Sequence, residues 1–409
     1  MANSAARDPL DPVRMDRIKT WMQTYVDEGK FPGASVLINQ GGTEAYFANA
    51  GYRRIAEEHG FARDTIARIY SMTKPIVTAA LMTLVERGRV HLDAPLGAIL
   101  PEFADLQALI PGATRLDQTE PAAPVTLHHL LTHTSGLSYG FNPSLLSQEM
   151  ARRHLEFRPH GPVLQTMIAE LAQLPLGFQP GTRWEYSVSI DVIGRVLEVL
   201  ENAPLDRILD RIIFEPLAMK DTGFACPDDK INRFATLYTS LDENRISITK
   251  NTSKTPQLRV FDAAEQSPFR KTTLFAGGGG LVGTIDDFMR FTEMLRNGGT
   301  LDGSRILAPG TVDFMMQNHL PGEIAAMGPQ SFAEMPMTGM GFGLGGAVLL
   351  DPARSRVPGT IGDYSWGGIA STCFWIDRKR DLSVVFFTQL LPSSAYPARA
   401  ELKALVNAC

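Results

Sequence analysis

Cysteine is scarce in this sequence and follows no pattern. The 409 residues include only three, Cys226, Cys373 and Cys409. Because their number is odd and their spacing irregular, they predict neither a disulfide framework nor a zinc knuckle. His129 and His133 have the spacing of two metal ligands on one helix face, but the glutamate of an H-E-x-x-H motif is absent. We therefore interpret the group His128, His129 and His133 as hydrogen-bonded residues of a helix at a domain junction.

Long apolar runs and an excess of positive charge are also missing. The first eight residues lack the apolar stretch of a signal peptide, and no later run is long enough to span a bilayer. We therefore expect a cytoplasmic protein that has no membrane partner. The 39 lysines and arginines are outnumbered by 44 aspartates and glutamates, which gives a net charge of −5. This balance argues against nucleic acid as a partner.

The chain is longer than one hydrophobic core usually supports, so two domains are expected. The patterns predict an α/β domain from residues 1–92 together with 265–409, and a mostly helical domain, 93–264, inserted between these parts. Strand patterns occur near both ends of the chain, so we expect the two ends to build one sheet. The fold class is therefore α/β (α+β).

Periodicity places the individual elements. Apolar residues at helical spacing predict helices that begin after Asp11, after Ser71 and after Thr284, and further helices over 190–200, 205–214 and 397–408. Strand patterns occur at 35–40, 43–50, 347–350, 372–376 and 382–388.

The strongest functional signal is a serine three residues before a lysine at the start of a predicted helix. After Ser71 and Lys74, Pro75 fits the first turn and Gly88 predicts the end. Residues i and i+3 share a helix face, so the Lys74 amine can reach the Ser71 hydroxyl. A serine is a weak nucleophile until a neighbouring group takes its proton. The pair therefore indicates a nucleophile with its base, although a helix cap followed by a surface lysine has the same spacing.

Three other motifs are weaker. Ser247 and Lys250 repeat the spacing in a polar, β-branched run, where no helix would hold them together. The G-x-S-x-G pattern around Ser138 lacks the preceding strand and following helix of a nucleophile elbow, so we do not expect Ser138 to react. The glycine run 277–283 lacks the lysine of a phosphate-binding loop and predicts instead a close backbone crossing at the sheet.

Two later segments can complete a serine site. Tyr186 follows a turn and precedes a predicted helix, where its phenol can shuttle a proton or simply lie at a domain interface. Gly367 and Gly368 follow Trp366 at the start of a predicted strand. Paired glycines let a substrate lie close to the strand and leave a backbone N–H for an oxyanion, although a glycine bulge looks the same.

Together these motifs resemble the serine β-lactamase and penicillin-binding protein superfamily, most closely the family VIII carboxylesterases and class C β-lactamases. The resemblance covers nearly the whole chain and implies an antiparallel sheet flanked by helices beside a helical domain. It also implies that Ser71 is the nucleophile, that Lys74 and Tyr186 are the base pair, and that the Ser71 and Ile369 N–H groups form the oxyanion hole. The motifs that carry it are Ser71-Met72-Thr73-Lys74, residues 131–137, Tyr186-Ser187-Val188, residues 277–283 and Trp366-Gly367-Gly368.

Two departures favour the esterase branch. The β-lactamases carry a Tyr-x-Asn motif, in which this sequence has Val188 in place of the asparagine. They also carry Lys-Thr-Gly on a late strand, where this sequence has Trp366-Gly367-Gly368. A strand-edge lysine recognises a substrate carboxylate through charge. Its replacement by tryptophan predicts a more apolar, aromatic pocket that suits neutral esters.

The sequence thus predicts a serine carboxylesterase that hydrolyses short-chain or aromatic esters through an acyl-enzyme on Ser71, with weak β-lactam hydrolysis left open. Its partner is a small-molecule ester, and neither a metal nor an organic cofactor is expected. Alternatives are a class C-type β-lactamase or D-Ala peptidase, a penicillin-binding sensor without turnover, and an acyltransferase. The predicted substrate contacts are Trp366, Gly367, Gly368, Tyr139, Phe141 and Val188.

Overall fold

The structure, a computed structural model, describes residues 9–241, 257–333 and 335–409. No helix in these three ranges is both long and apolar enough to cross a membrane. The α-helices are α1 (Pro12–Asp27), α2 (Thr73–Glu86), α3 (Leu127–Leu131), α4 (Leu145–Arg153), α5 (Leu164–Leu171), α6 (Ser189–Glu201), α7 (Leu205–Leu209), α8 (Ile285–Arg296), α9 (Pro309–Met315), α10 (Ile324–Met327), α11 (Pro352–Ser355) and α12 (Ala398–Asn407).

An eight-stranded sheet joins the two ends of the chain. Its strands are β1 (Gly33–Gln40), β2 (Thr43–Arg54), β3 (His59–Gly60), β4 (Met340–Phe342), β5 (Ala347–Leu349), β6 (Tyr364–Gly367), β7 (Cys373–Asp377) and β8 (Leu382–Thr388). Their spatial order is β4-β5-β6-β7-β8-β1-β2-β3, with antiparallel neighbours. Strand β1 pairs on both sides, so that Ala34 lies opposite both Ala50 and Thr388. The predicted α/β class, with its antiparallel sheet, is therefore confirmed.

Helices cover both faces of this sheet. In β1, Val36 belongs to the core cluster that includes α1 and α12, whereas the next residue, Leu37, belongs to the cluster that includes α8. This alternation follows from the two-residue period of a strand, which points successive side chains to opposite faces. The apolar face predicted for the first helix is buried against the sheet, namely Met15, Ile18, Met22 and Tyr25 of α1.

Helices α3 to α7 all lie within residues 93–264, and the larger core cluster connects them to the rest of the protein. Ile76 of α2 and Ile193 of α6 belong to that one cluster. The division into two domains stays a prediction. The helix predicted over 205–214 is shorter than expected, because α7 ends at Leu209 and one turn of π-helix, Asp210–Phe214, follows it.

Short strands outside the main sheet connect distant parts of the chain. They pair Ala67–Arg68 with Val282–Gly283, Gln107–Leu109 with Thr119–Pro121, Leu237–Thr239 with Arg259–Asp262 and Leu390–Leu391, Thr300–Leu301 with Ser304–Arg305, and Ser331–Phe332 with Met335–Pro336.

Candidate active site

Ser71 lies where a short strand turns into the buried helix α2. The strand Ala67–Arg68 is followed by a 3₁₀ turn, Tyr70–Met72, and α2 continues from it. Tyr70 has φ 43°, a left-handed conformation that is uncommon for a large side chain. Backbone strain of this kind clusters at functional sites, where the surrounding structure holds it in place. Ser71 is partly exposed and lines a cavity.

Lys74 brings its amine to the Ser71 hydroxyl from the first turn of α2, which directly follows the 3₁₀ turn that contains Ser71. The side chain has no exposed surface. Its Nζ donates hydrogen bonds to Ser71 Oγ (3.3 Å), Tyr139 OH (3.0 Å) and the carbonyl oxygen of Gly278 (2.6 Å). The i, i+3 spacing therefore places the serine and the lysine together, as predicted from the sequence.

Tyr139 places its phenol at this amine, in addition to the predicted Tyr186. The pKa of Tyr139 is raised well above its usual value by burial first, and then by the nearby Asp191, Tyr186 and Glu156. The phenol therefore stays protonated over the whole working range of pH. The sequence placed Tyr139 among the substrate contacts, and the structure adds its direct hydrogen bond to Lys74.

Tyr186 packs against the same amine through its ring. Lys74 Nζ lies 4.5 Å from the ring centroid. The Tyr186 hydroxyl accepts a hydrogen bond from Trp366 Nε1 (3.3 Å), which joins the two sequence motifs across the site. Tyr186 comes just before α6, on the loop where the sequence placed it.

The glycine run 277–283 was predicted to cross the backbone closely at the sheet. In the structure it contacts helix α6 and not the main sheet. A Cβ atom on Gly278 would lie 2.4 Å from Asp191 Oδ2, so only glycine fits there. Asp191 on α6 is fully buried, and its Oδ1 accepts the Gly278 N–H (3.0 Å). Burial raises the pKa of Asp191 to about 6, and the charge of Lys74 opposes this rise. Because the Gly278 carbonyl binds Lys74, the run connects this carboxylate to the amine.

Two of the three histidines, His129 and His133, have hydrogen-bond partners. His129 Nδ1 accepts the Thr126 N–H (3.2 Å) in a capping box at the start of α3. His133 is fully buried, its Nδ1 lies 3.1 Å from Ser187 Oγ, and its ring centroid lies 4.8 Å from that of Tyr186. Burial, together with the charge of Lys74, holds its pKa well below the usual range. Over the described part of the chain, no group of three histidine, cysteine, aspartate or glutamate residues could hold a metal ion.

The hydroxyl of Ser71 opens into a cavity of about 540 Å³. Its walls are mainly aromatic and apolar, and rings from separate segments meet there: Phe332 stacks on Trp366 (centroids 6.1 Å apart, planes at 11°). The sequence-predicted residues that line it are Ser71, Tyr139, Phe141, Tyr186, Trp366, Gly367, Gly368 and Ile369.

The predicted oxyanion donors are available at this cavity. Ile369 follows the end of β6 and lines the cavity, and its N–H has no acceptor among the residues that the structure describes. The N–H of Ser71 lies in the 3₁₀ turn at the start of α2, where backbone amides face an incoming negative charge. Both positions fit the stabilisation of a tetrahedral oxyanion.

The structure does not bring Val188 to the cavity. This residue is the N-cap of α6, has no exposed surface, and is not part of the cavity wall. Its side chain belongs to the larger core cluster because the backbone turns into the helix at this point. The prediction of Val188 as a substrate contact therefore needs correction.

Sequence reasoning missed three charged residues of the cavity wall, one of which is Lys403 on α12. Glu156 follows α4, and Arg399 lies on α12, where its Nη2 donates to the carbonyl oxygen of Gly368 (2.9 Å). The cavity is therefore less neutral than the exchange of lysine for tryptophan at position 366 suggested. No local motif marks any of these residues, since all three reach the site only through tertiary packing.

The two alternative serines do not share this site. Ser138 is fully buried and hydrogen-bonds to Ser147 Oγ (2.7 Å) and, by a short contact, to Glu185. It has no path to a substrate. Ser247 and Lys250 lie outside the described residues.

A beta-lactamase family model matches residues 18–408. The chain belongs to the beta-lactamase family. Esterase EstB of Burkholderia gladioli is 32% identical over 370 residues, which cover 88% of this chain and 86% of EstB. Protein Rv1367c of Mycobacterium tuberculosis is 35% identical over 393 residues, with 95% and 93% covered. Among solved structures, EstCE1, described as a hydrolase with promiscuous acyltransferase activity, superimposes with a TM-score of 0.79 at 27% identity and covers 96% of this chain and 98% of its own.

The resemblance predicted from the motifs is thus confirmed. The chain is a member of the serine β-lactamase and penicillin-binding protein superfamily, in the branch of the family VIII esterases. It is an enzyme of the serine hydrolase class. A shared fold alone does not fix a substrate, because the site and not the fold determines the chemistry.

Proposed function

We propose that this protein is a serine carboxylesterase that hydrolyses short-chain or aromatic esters through an acyl-enzyme on Ser71. The observation that carries the proposal is the buried Lys74 amine, 3.3 Å from Ser71 Oγ at the wall of an aromatic cavity. A serine and a lysine in hydrogen-bond contact are a nucleophile with its base. The likeness to Esterase EstB supports the ester as the substrate class.

In the acylation step, Lys74 and Tyr186 act together as the base that takes the proton from Ser71 Oγ as this oxygen attacks the ester carbonyl carbon. The oxyanion that forms accepts hydrogen bonds from the Ser71 and Ile369 N–H groups. The bond to the alcohol oxygen then breaks, and Tyr186 returns the proton to the leaving alcohol. The acyl group remains on Ser71, so the difficult reaction is divided into two easier steps.

Deacylation repeats this chemistry with water as the nucleophile. The base pair takes one proton from water, the water oxygen attacks the acyl carbon, and the bond to Ser71 Oγ breaks. The proton returns to Ser71, and the carboxylic acid leaves. Every step is a proton transfer or an acyl transfer between groups at the site, so the proposal requires no metal or organic cofactor.

A second candidate is acyl transfer to an alcohol. The acyl-enzyme would be the same, and an alcohol in the apolar cavity would replace water in the second step. The description of EstCE1 as a hydrolase with promiscuous acyltransferase activity favours this candidate. Formation of a new ester when an alcohol is added would reveal acyl transfer. The cytoplasmic location of the protein stays a prediction.

The proposal is tested with p-nitrophenyl acetate, butyrate and octanoate beside the β-lactam nitrocefin. We expect the short esters to be turned over and nitrocefin to react weakly, because Trp366 stands where β-lactamases carry a cation. Ser71→Ala should lower kcat/KM for the esters by at least about 10³-fold, the scale at which removal of a nucleophile acts.

Ser365→Ala is the matched control, since Ser365 lines the same cavity from strand β6. We expect it to retain most of the activity. Equal losses in the two variants would contradict the assignment of Ser71. Fast nitrocefin hydrolysis with feeble ester turnover would indicate a β-lactamase, and one stoichiometric burst without turnover would indicate a penicillin sensor.

A further inference from the structure

One charged group of the cavity has no part in the acylation chemistry. Glu156 lines the cavity, and its Oε2 accepts the N–H of Gly140 (3.1 Å). The arginines nearest in sequence are engaged elsewhere, Arg153 with Glu149 and Arg158 with His154. Across the described residues, no lysine or arginine forms an ion pair with Glu156. The wall therefore carries a carboxylate without a neutralising partner.

The segments around this carboxylate contribute aromatic rings to the cavity. Tyr139 and Phe141 flank Gly140 in sequence and stack with centroids 4.9 Å apart and planes at 21°. Phe157, the residue after Glu156, contacts Tyr70 edge to face at 6.3 Å. All four rings line the cavity. A carboxylate beside aromatic faces is the combination that attracts a cationic ligand, because ring faces carry partial negative charge.

The position of the carboxylate depends on the residue opposite it. A Cβ atom on Gly140 would lie 2.9 Å from Glu156 Oε2 and 3.0 Å from the Ala151 side chain. Glycine therefore lets the carboxylate approach the backbone of the loop that carries Tyr139. That loop also brings the Tyr139 hydroxyl to the Lys74 amine (3.0 Å), so the carboxylate and the Ser71–Lys74 pair are linked through adjacent residues of one loop.

The cations of the site belong to other elements. Arg399 donates to the carbonyl oxygens of Gly368 (2.9 Å) and Thr372 (3.3 Å), beside strand β6. Lys403, also on α12, is paired with Asp363 (3.2 Å). Lys74 is enclosed below Ser71. Residues 140–141 and 156–157 thus give the wall one carboxylate and two aromatic rings, with no positively charged residue among them.

We propose that Glu156 and the rings around it bind a positively charged group of the substrate, so that the enzyme prefers esters with a quaternary ammonium or amine group over uncharged esters of the same shape. This inference rests on the proposed esterase function and names the substrate class of the same site.

The test compares acetylthiocholine with 3,3-dimethylbutyl thioacetate, which has a carbon atom in place of the charged nitrogen. We expect the wild type to show a higher kcat/KM for the cationic thioester, and Glu156→Gln to lower the ratio of the two values by about tenfold. Added salt should lower the ratio in the wild type and leave it nearly constant in the variant, because ions screen a charge interaction.

Glu170→Gln is the control, since it removes the same charge from an exposed position of helix α5, outside the cavity wall. Its ratio should equal that of the wild type. Hydrolysis of p-nitrophenyl acetate without preference for the cationic thioester, or without turnover of either thioester, would overturn the inference alone. Absence of p-nitrophenyl acetate hydrolysis would instead overturn the esterase proposal.

Discussion

The Lys74 amine lies at the centre of the site, because residues from distant parts of the chain bind it. Ser71 comes from its own helix, Tyr139 from the loop after α3, and Gly278 from the glycine run. Asp191 contributes indirectly, since it holds the N–H of the glycine whose carbonyl binds the amine. A buried amine with defined acceptors keeps one orientation, which favours repeated proton transfer to and from Ser71.

The buried carboxylate of Asp191 should give stability a measurable pH dependence. Burial raises its pKa from 3.8 to about 6, so the folded protein disfavours the charged form, and stability is lost as pH rises between these values. Asp191→Asn cannot ionise. Relative to the wild type, its free energy of unfolding should therefore increase by about 3 kcal/mol between pH 3.5 and pH 7. Denaturant unfolding of both proteins at several pH values measures the difference, and parallel profiles would contradict it.

At this scale, local spacing determined what the sequence could predict. Ser71 and Lys74 lie on one helix turn, so their contact follows from helix geometry. The contact between Tyr139 and Lys74, and the approach of Glu156 to Gly140, join residues that only the tertiary fold brings together. Val188 failed as a substrate contact because a motif gives the order of residues but not the direction of a side chain at a helix start.

The short strand Ala67–Arg68 is the element that positions Ser71, which follows it in the chain. Its Arg68 is fully buried, donates two hydrogen bonds to Asp262 Oδ2 (2.9 and 2.6 Å), and packs over the ring of Phe234 at 4.2 Å. These hydrogen bonds hold the strand in place three residues before Ser71. A buried guanidinium needs such a partner, because an unpaired buried charge is costly.

Asp262→Asn tests the anchor. It leaves the Arg68 charge buried without its carboxylate and should destabilise the fold by about 3 kcal/mol. Asp228→Asn is the control, since it breaks an exposed pair with Arg270 and should have little effect. Thermal unfolding of the two variants and the wild type gives the comparison. Equal, small losses would show that the anchor does not depend on the ion pair.

The length of a helix or strand determined whether its pattern could be recognised in the sequence. The first helix and the N-terminal hairpin have clear periods, and the structure has them as α1, β1 and β2. Strand β4, Met340–Phe342, was not predicted, because three residues carry too little alternation to detect. Its place at the edge of the sheet follows from pairing with β5, which is a long-range property.

At the scale of the whole molecule, the sheet built from both chain ends brings Trp366 and Ile369 to the cavity that Ser71 lines, just before α2. The hydroxyl of Tyr186, before α6, is bonded by Trp366 across the cavity. The order of the motifs along the chain predicted this family and its fold. The charges of the cavity wall were not predictable, because Glu156 and Arg399 belong to no motif and come from elements far apart in sequence.

The acyl-enzyme is the central claim, and its direct measurement is the mass of the Ser71 peptide. The wild-type protein is quenched with acid during turnover of p-nitrophenyl butyrate. It is then digested, and the masses of its peptides are measured by mass spectrometry. We expect one added butyryl group on the peptide that contains Ser71, and none on that peptide in Ser71→Ala. Turnover with the acyl group on another residue, or an acylated Ser71→Ala protein with normal activity, would contradict the account.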